Sequence, residues 1–469
     1  MKVHIALVNP PSPSIASESF FMPLGIGYLA AVLENNGYIV DIIDCQALNL
    51  TRRELRSEFS RLQPDVVGVT SATFTYESAL EIVKTAKETC PNCLTVVGGP
   101  HVTIMDEQTL VEHAEADIVV RGEGEQTILE LANLISASDL KNLDDVAGIT
   151  FRKNGQIFQT PNRPFIQNID ELPYPALHYF PLSKYKVLGK TYLPIITSRG
   201  CPFQCTFCLV SRMCGRRFRA RSSRNVIEEL EWLGGKYGAD AFSFLDDTFT
   251  FDIRRASEIC EAIKNRNFEV HWDCRTRVDR ITKEVLVKMR AANCQCIHFG
   301  VESGSQKMLD AMKKGTTVEQ NERAIKWAKE VGISVAISVV VGYPGETTDM
   351  LKQTMAFIRK TEPDYVYVCI AIPYPGTEFY SLLRNLGWEM TMEWNHYDGQ
   401  THVFKNPLLP AEKIDEITRT FYNNFFSPSY ILRKSLKSDF YSQVMARTAL
   451  NHLLRRIKLP LGFLPIRRN

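Results

Sequence analysis

The 469-residue chain carries 55 Lys and Arg residues against 53 Asp and Glu, and this balance gives no general basis for binding nucleic acid. Hydrophobic residues make up 45% of the chain, enough for the cores of two or three domains and too many for a disordered protein. No stretch approaches the roughly 18 apolar residues of a spanning helix, and the apolar run at residues 3–8 is too short for a signal peptide. With 12 cysteines and no signal peptide, we therefore expect a protein of the reducing cytoplasm, where thiols serve metal binding rather than disulfides.

Residues 1–145 alternate short β-branched strands with amphipathic helices, which predicts a doubly wound, Rossmann-like parallel sheet. Ligands of such sheets lie beyond the carboxyl ends of the strands. Polar loops follow the predicted strands at those ends, and they contain Asn9, Ser71, Thr73, Gly98, Gly99, Pro100, His101 and Glu123. We interpret His101 as a polar wall rather than a metal ligand, and the Cys90/Cys93 pair as incidental.

Residues 146–190 predict a connection between domains. Two short strands flank Asn154-Gly155, a dipeptide typical of a hairpin turn. The prolines that follow are dense, which is typical of a linker.

Three cysteines then occur close together, Cys201, Cys205 and Cys208, in the spacing C-x₃-C-x₂-C. Iron–sulfur clusters usually have four cysteine ligands, so a compact triad implies a cubane with one iron left open. The alternatives are three unrelated buried thiols or a zinc knuckle. Zinc needs a fourth Cys or His at a suitable spacing, and Cys214 is the one candidate nearby.

The triad, with aromatic Phe207 before its last cysteine, resembles the radical S-adenosylmethionine (SAM) superfamily. In that family the open iron binds the amino and carboxylate groups of SAM, and reduction of the cluster cleaves SAM to a 5′-deoxyadenosyl radical. Six alternating strand and helix signals over residues 191–386 fit a partial (β/α)₆ TIM-type barrel, whose functional groups follow the strands. The cofactors would carry the reaction, and we assign no catalytic side chain.

The resemblance implies SAM contacts at the ends of these strands. Taken singly, each of these residues could equally be a surface ion pair or a helix cap; it is their order along the chain that favours a SAM site. Asp246 and Asp247, in place of the more general Gly-Gly-Glu, would bind the SAM ammonium. This Asp-Asp form is similar to the cobalamin-dependent branch that includes anaerobic magnesium-protoporphyrin cyclase. The other implied contacts are Arg275, Arg277, Glu302, Ser303, Gly342 and Tyr374.

The loops of residues 1–145 resemble the cobalamin-binding domain that precedes many radical SAM barrels. By this resemblance Ser71 and Thr73 would meet the nucleotide loop or corrin edge, and Gly98 and Gly99 would leave room for the dimethylbenzimidazole tail. The Asp-x-His-x-x-Gly motif, which supplies a histidine ligand in cobalamin mutases, is absent after the first strand. We therefore expect base-off cobalamin without a histidine ligand. The alternative is a Rossmann-like domain that binds nothing.

The remaining cysteines of the barrel could suggest a second cluster. Cys260, Cys274, Cys294 and Cys296 alternate with apolar residues, which favours buried small hydrophobes, and we expect one cluster only. His298 lies in a predicted strand and is interpreted as a core residue.

Residues 387–469 predict a mostly helical C-terminal domain that begins with an aromatic loop covering the active site. Its tail, residues 453–468, mixes apolar residues with Arg and Lys. Such a segment suits peripheral contact with anionic lipid headgroups, and a packed, solvated helix is the alternative.

Together these features identify a cobalamin-binding radical SAM enzyme of the class B methyltransferase or magnesium-protoporphyrin cyclase type. We expect methyl transfer from methylcobalamin to an unactivated carbon of a hydrophobic small molecule, such as a lipid, isoprenoid or tetrapyrrole, with a flavodoxin or ferredoxin as external electron donor. The alternative is a cobalamin-dependent cyclase, oxidase or ring-rearranging enzyme. A cobalamin-responsive sensor with a vestigial barrel is a third hypothesis, which the complete triad disfavours.

Overall fold

The computed structural model describes residues 3–13, 22–266, 268 and 270–456. The chain divides into two compact units. The first unit comprises residues 1–186, 191–238 and 372–404, and the second comprises residues 187–190, 239–371 and 405–469. The four predicted segments, with boundaries at 145, 190 and 386, remain a prediction.

The first unit begins with strands and helices that alternate along the chain. In order, these elements are β1 (His4–Asn9), α1 (Leu24–Asn35), β2 (Ile39–Asp44), α2 (Cys45–Leu48), α3 (Arg52–Leu62), β3 (Val66–Thr70), α4 (Tyr76–Thr89), β4 (Leu94–Gly98), α5 (Pro100–Ile104), α6 (Asp106–Glu112), β5 (Ile118–Val120), α7 (Glu125–Ser136), β6 (Ile149–Lys153) and β7 (Gln156–Gln159).

These strands form one sheet in the order β2-β1-β3-β4-β5-β6-β7. β1 to β5 pair in parallel, and their β-branched residues are buried because helices cover such sheets on both faces. β1 lies between β2 and β3, so the direction of winding reverses there, and ligands of doubly wound sheets lie at this switch point. The predicted doubly wound sheet is confirmed.

The predicted hairpin forms the edge of the same sheet. β6 and β7 pair antiparallel. Asn154 and Gly155 both have positive φ, 52° and 77°, as a type I′ turn requires.

The next elements surround the three cysteines. They are β8 (Lys186–Val187), β9 (Lys190–Ile195), β10 (Ser198–Arg199), α8 (Val210–Met213), β11 (Arg219–Ala220) and α9 (Ser223–Tyr237). α9 begins at a Ser222 cap, whose hydroxyl accepts from the Asn225 N–H, and ends at Gly238 in the left-handed region.

The second unit repeats a strand–helix pattern. Its elements in this stretch are β12 (Ala241–Phe244), α10 (Ile253–Asn265), β13 (His271–Thr276), α11 (Lys283–Ala291), β14 (Cys294–Glu302), α12 (Gln306–Ala311), α13 (Val318–Glu330), β15 (Ser334–Val341), α14 (Thr348–Thr361) and β16 (Tyr365–Ile370). β12 to β16 pair in parallel in chain order. With β9 they are the six strands predicted for the partial barrel, which is confirmed.

The chain ends in helices, as predicted. These are α15 (Glu378–Asn385), α16 (Ala411–Phe425), α17 (Pro428–Ser435) and α18 (Phe440–Arg456). Phe426, Tyr430 and Ala449 form a small core in the second unit, against which Tyr365 of β16 packs. No helix in the described ranges has the length and apolar character needed to cross a membrane. Most of the basic tail, from residue 457 on, lies outside the described residues.

Candidate cofactor-binding sites

The ends of β3 and β4 meet through their backbones. The Ser71 N–H donates to the Gly98 carbonyl at 2.8 Å, and the His101 N–H donates to the Ser71 carbonyl at 3.2 Å. Gly99 has φ +108°, and a Cβ added there would lie 2.6 Å from the Ser71 carbonyl oxygen. Only glycine fits this position. The Ser71 hydroxyl is buried and has no hydrogen-bond partner among the described residues, so it can bind a polar ligand atom.

His101 is a buried residue of the same loop. Burial lowers the pKa of its imidazole to about 4, so the ring is neutral at physiological pH. Its centroid lies 4.2 Å from that of Tyr76 and 4.8 Å from that of Trp394. Its Nδ1 atom is buried and, in the part of the chain that the structure describes, has no hydrogen-bond partner, like the Ser71 hydroxyl. The glycine pair and these two unused polar groups therefore fit the tail of a nucleotide-like cofactor such as cobalamin.

The other predicted cobalamin contacts have different surroundings. Thr73 is buried at the start of a 3₁₀ turn, and Pro100 is the first residue of α5. Asn9 donates from its side-chain amide to Asp44 at 2.9 Å, so that amide is already engaged. All three stay predictions as cobalamin contacts.

Glu123 connects the cobalamin-type sheet to the cysteine loop. Its carboxylate accepts from Arg219 at 2.8 Å and from Arg199 at 3.2 Å, and it also accepts from the Ile166 N–H at 2.8 Å. Arg199 reaches Glu125 as well, at 2.6 Å. These bonds satisfy Glu123 within the protein and favour an anchoring role, so its contact with cobalamin stays a prediction.

A short hairpin holds the cysteine loop at its base. β10 and β11 pair antiparallel, with Arg199 opposite Arg219. Gly200 has φ +87°, and an added Cβ would meet the Arg217 carbonyl and would lie 2.9 Å from the Cys214 carbonyl oxygen. The Cys201 N–H donates to the Gly215 carbonyl at 3.2 Å. Gly200 is therefore needed for the close approach of two backbone segments.

The three cysteines project from one turn of this loop and are partly exposed. The Cys208 N–H donates to the Cys205 carbonyl at 3.2 Å, and the buried Thr206 between them accepts from the Phe379 N–H at 2.9 Å. Within the described ranges, no three His, Cys, Asp or Glu side chains converge as they would around a single metal ion. The next carboxylate after Gly200 in the sequence is Glu228, and six arginines lie between them, so this stretch is cationic. Partly exposed thiols in a cationic loop fit a cluster with one open iron.

In the second unit, two carboxylates follow β12. Asp246 is buried and Asp247 is exposed to solvent. Surrounding protein and the adjacent Asp246 raise the pKa of Asp247 to about 6, against the opposing charge of Arg275. Asp246 and Arg275 each have partners of their own within the protein. An acidic pair beside an arginine can accept the ammonium and carboxylate of an amino acid, which fits SAM.

A buried ion-pair chain follows β13 and β14. Arg277 is fixed by Asp279 at 2.9 Å and donates to the Lys314 carbonyl at 2.7 Å. The Lys314 ammonium lies 2.7 Å from the Glu302 carboxylate. Glu302 has φ +62°, an unusual value for a residue other than glycine. Strain of this kind is concentrated at functional sites, which supports Glu302 as a ligand-contacting residue. Arg277 is engaged by Asp279 and by the Lys314 carbonyl, and Arg275 also has partners within the protein, so both arginines stay predictions as contacts of the SAM carboxylate.

Three predicted contacts make hydrogen bonds within the protein. The Ser303 hydroxyl lies 3.0 Å from that of Thr354. The Gly342 N–H donates to Glu346 at 2.6 Å, and burial raises the pKa of Glu346 to about 7. The Tyr374 hydroxyl donates to the Tyr397 carbonyl at 3.3 Å, within the first unit. As SAM contacts, Ser303, Gly342 and Tyr374 stay predictions.

Four cysteines of the second unit are buried parts of its core. Cys260, Cys274, Cys294 and Cys296 are buried, and burial raises the pKa of each thiol, so all four are neutral. His298 stacks on Tyr367 with centroids 5.1 Å apart, and burial lowers its pKa to about 3. Both observations agree with the sequence interpretation.

Sequence reasoning missed two features of these sites. Lys314 is buried against Glu302, although lysine is an exposed residue in most proteins and the sequence analysis did not single it out. Trp394 and Tyr397 were expected to cover the barrel mouth. They pack in the core of the first unit, beside His101, and their covering of the active site stays a prediction. The sequence around Trp394 and Tyr397 gave no signal of this core contact.

Comparison with known proteins agrees with both parts of the site. Residues 15–132 match the family model for the B12 binding domain, and residues 195–358 match that for the Radical SAM superfamily. An uncharacterized methyltransferase of Pyrococcus horikoshii is 37% identical over 93% of this chain and 95% of its own length. An anaerobic magnesium-protoporphyrin IX monomethyl ester cyclase of Rubrivivax gelatinosus is 30% identical over 90% of this chain and 76% of its own length.

The fold agrees as well. The radical SAM methyltransferase TsrM of Kitasatospora setae, solved with cobalamin and a [4Fe-4S] cluster, superposes with a TM-score of 0.75 at 17% identity, over 97% of this chain and 100% of the other. The cofactors of this chain are a [4Fe-4S] cluster, SAM and cobalamin. The chain belongs to the cobalamin-binding radical SAM enzymes.

Proposed function

We propose that this enzyme transfers a methyl group from cobalamin to an unactivated carbon of a hydrophobic small molecule. The three-cysteine loop and the cobalamin-type sheet belong to one compact unit, in which Glu123 pairs with Arg199 and Arg219. This connection is the main observation behind the proposal. The similarity to a methyltransferase over 93% of the chain supports it.

When bound, the three cofactors supply a 5′-deoxyadenosyl radical that abstracts hydrogen and a methyl group that replaces it. The chain's own residues bind and orient. Cys201, Cys205 and Cys208 would hold the cluster, Asp247 and Arg275 would bind the charged end of SAM, and Ser71 would bind the cobalamin tail. The first strand is followed by Asn9-Pro10-Pro11 and supplies no histidine, so we propose base-off cobalamin without a histidine ligand.

An aromatic pair in the second unit bears on the class of substrate. Tyr367 of β16 leaves 47% of its side chain exposed and stacks on the neutral His298. An aromatic pair without charge suits a flat or apolar molecule. The cyclase relative acts, by its name, on a protoporphyrin ester, which supports a tetrapyrrole or a comparably apolar substrate.

The test is anaerobic reconstitution with iron, sulfide and hydroxocobalamin, followed by SAM, a reductant and a lipid or tetrapyrrole extract. Methyl transfer consumes two SAM molecules, so we expect 5′-deoxyadenosine and S-adenosylhomocysteine together, and an extract component heavier by one methylene. The Cys205→Ala variant is the control and should yield neither product. Neither product from the loaded wild-type enzyme would contradict the proposal.

A second function is supported by the 30% identity to the cyclase. In this case cobalamin takes part in ring closure or oxidation without methyl transfer. The same assay separates the two functions, because 5′-deoxyadenosine without S-adenosylhomocysteine would indicate the cyclase type.

We also propose that the enzyme is cytoplasmic and contacts membrane lipid through its basic tail. Support comes from the composition of the tail, since most of it lies outside the described residues. Co-sedimentation with vesicles containing anionic lipid, compared with a chain truncated after Arg456, tests this contact.

A further inference from the structure

The segment that follows the cysteine triad carries an unusual concentration of positive charge. Between Gly200 and Ile227 there are six arginines and no acidic residue. Three of the six are paired with glutamates, namely Arg219, Arg221 and Arg224. The other three lie exposed within the span 212–217, and among the described residues they form no ion pair. They are Arg212, Arg216 and Arg217, and we call them the arginine patch.

The arginine patch lies directly behind the cluster-binding loop. The Cys201 N–H donates to the Gly215 carbonyl at 3.2 Å, between Arg212 and Arg216. Gly200 is in backbone contact with Arg217. Even a fully extended chain places residues 212 and 217 no more than about 18 Å apart. The three charges are therefore close to one another and to the first cysteine of the triad.

The base of this segment is rigid. Gly215 has φ +78° and packs against the Phe165 ring, where an added Cβ would lie 2.8 Å from the ring. The buried Arg219 donates to the Cys214 carbonyl at 2.8 Å and to Glu123. Arg217 donates to the amide oxygen of Gln167 at 3.2 Å. The charges are thus presented on a fixed backbone, which lowers the entropic cost of binding a partner.

Among the described residues, none of the three arginines of the patch pairs with a carboxylate, and the partner of Arg217 is the amide oxygen of Gln167. Of the carboxylates held close to this segment, Glu123 binds two other arginines, and Asp170 accepts from the Ser222 N–H at 2.9 Å. Exposed arginines left without acids leave a positive field at the surface, and such a field attracts acidic proteins and accelerates their association.

We propose that Arg212, Arg216 and Arg217 form the docking surface for a small acidic redox protein that reduces the cluster. One electron would pass from the donor's reduced cofactor to the cluster, so the donor is oxidised by one electron and the cluster is reduced by one. This inference rests on the cluster chemistry of the proposed function and is independent of methyl transfer.

The test uses reconstituted full-length enzyme and a reduced acidic flavodoxin as the probe. The triple variant Arg212→Gln/Arg216→Gln/Arg217→Gln is compared with wild type by stopped-flow bleaching of the cluster's visible absorption. At low salt we expect the second-order rate constant to fall by at least about tenfold, because steering contributes one to three orders of magnitude. Added salt should slow the wild type and leave the variant nearly unchanged.

A matched control removes the same charge elsewhere. Arg53, Arg254 and Arg359 are also exposed. Their triple glutamine variant should keep the wild-type rate within about twofold, since none of the three belongs to the segment that follows the cysteine triad. Reduction by photoexcited deazaflavin, a small reductant that needs no docking surface, should be equal in all three proteins and shows that the cluster is intact.

Several outcomes would overturn the inference. One is equal flavodoxin rates in the two triple variants, and another is a wild-type enzyme that deazaflavin reduces and flavodoxin does not. A third is loss of bound cobalamin from the arginine-patch variant, measured by absorption, because the arginines would then belong to the cofactor site. SAM cleavage after reduction by deazaflavin tests the proposed function without the docking surface, so failure of the two proposals can be told apart.

Discussion

Glu302 is a residue whose backbone is held in an unfavourable conformation at a cost in stability. It ends β14 in the left-handed region, beside a shift in register between Gly300 and Glu302. A Cβ at residue 300 would lie 2.6 Å from the Glu302 carboxylate, so a larger residue there would displace that side chain from its present position. The Lys314 ammonium then neutralises the buried carboxylate at 2.7 Å. Lys314 is a positioning residue for Glu302.

Removing the ammonium tests this role. The Lys314→Met variant leaves a buried carboxylate without its partner, which costs about 3–5 kcal/mol. We expect a lower melting temperature and weaker binding of SAM by isothermal titration of the cluster-loaded enzyme. The double variant Lys314→Met/Glu302→Gln should recover part of the stability, because it removes the buried charge, and should not recover SAM affinity.

A matched lysine provides the control for that experiment. Lys326 pairs with Glu330 at 3.9 Å on the exposed face of α13. Such surface pairs contribute about 0–1 kcal/mol, so Lys326→Met should melt close to wild type and bind SAM normally. Equal effects of the two methionine variants would show that the buried pair has no special role.

The loops after β3 and β4, which are of the cobalamin-binding type, are held in place by contact between the ends of these two strands. Gly99 joins β4 to α5 at φ +108°, against the backbone of Ser71. The loop after β3 is thereby fixed, and the buried Ser71 hydroxyl has no hydrogen-bond partner within the described ranges. A loop held in this way would be a preformed binding surface rather than one assembled by the ligand.

An alanine at this position should separate the two loops. In Gly99→Ala the new methyl group would lie 2.6 Å from the Ser71 carbonyl oxygen, at a φ that alanine disfavours. We expect loss of most bound cobalamin after reconstitution, measured by absorption, with the cluster still present. Gly37→Ala is the control, since residue 37 also has positive φ, +81°, and has open space around it. If both variants retained cobalamin equally, the contact between the strand ends would not shape the site.

Across the whole molecule, the sequence predicted local features well and distant partners poorly. Strand–helix alternation predicted the sheet of β1 to β5 and the six barrel strands, because the period of apolar residues follows from local burial. The Cys201 triad was visible because one short loop carries it. The burial of Lys314 depends on a carboxylate twelve residues earlier, at the end of a strand. The period of apolar residues does not predict such a pair.

The chain returns to the first unit after the last barrel strand, and this return is the clearest feature that the sequence did not predict. Residues 372–404 follow the last barrel strand, yet they belong to the first unit. Asn395 donates to Glu77, 318 residues earlier in the sequence. Ile372, Trp394 and Tyr397 join the core that β3 and α4 form. Aromatic composition alone suits a lid as well as a core, so only the tertiary structure distinguishes the two.

This return predicts that the cobalamin-binding unit is incomplete without the segment 372–404. Trp394 is 7% exposed and lies between His101 and Tyr397, with ring centroids 4.8 and 4.9 Å away. Truncation of a buried tryptophan to alanine costs about 3–5 kcal/mol. We expect Trp394→Ala to lower the melting temperature and the cobalamin content together, because the cavity would free the His101 ring.

Trp388 supplies the comparison within the same segment. It is only partly buried and stacks on Phe404 with centroids 6.0 Å apart. Trp388→Ala should therefore cost less stability than Trp394→Ala and leave the cobalamin content unchanged. A Trp394→Ala enzyme that kept its cobalamin while S-adenosylhomocysteine formation fell would point instead to a lid over the substrate, and the segment would then act on turnover rather than on the cofactor-binding core.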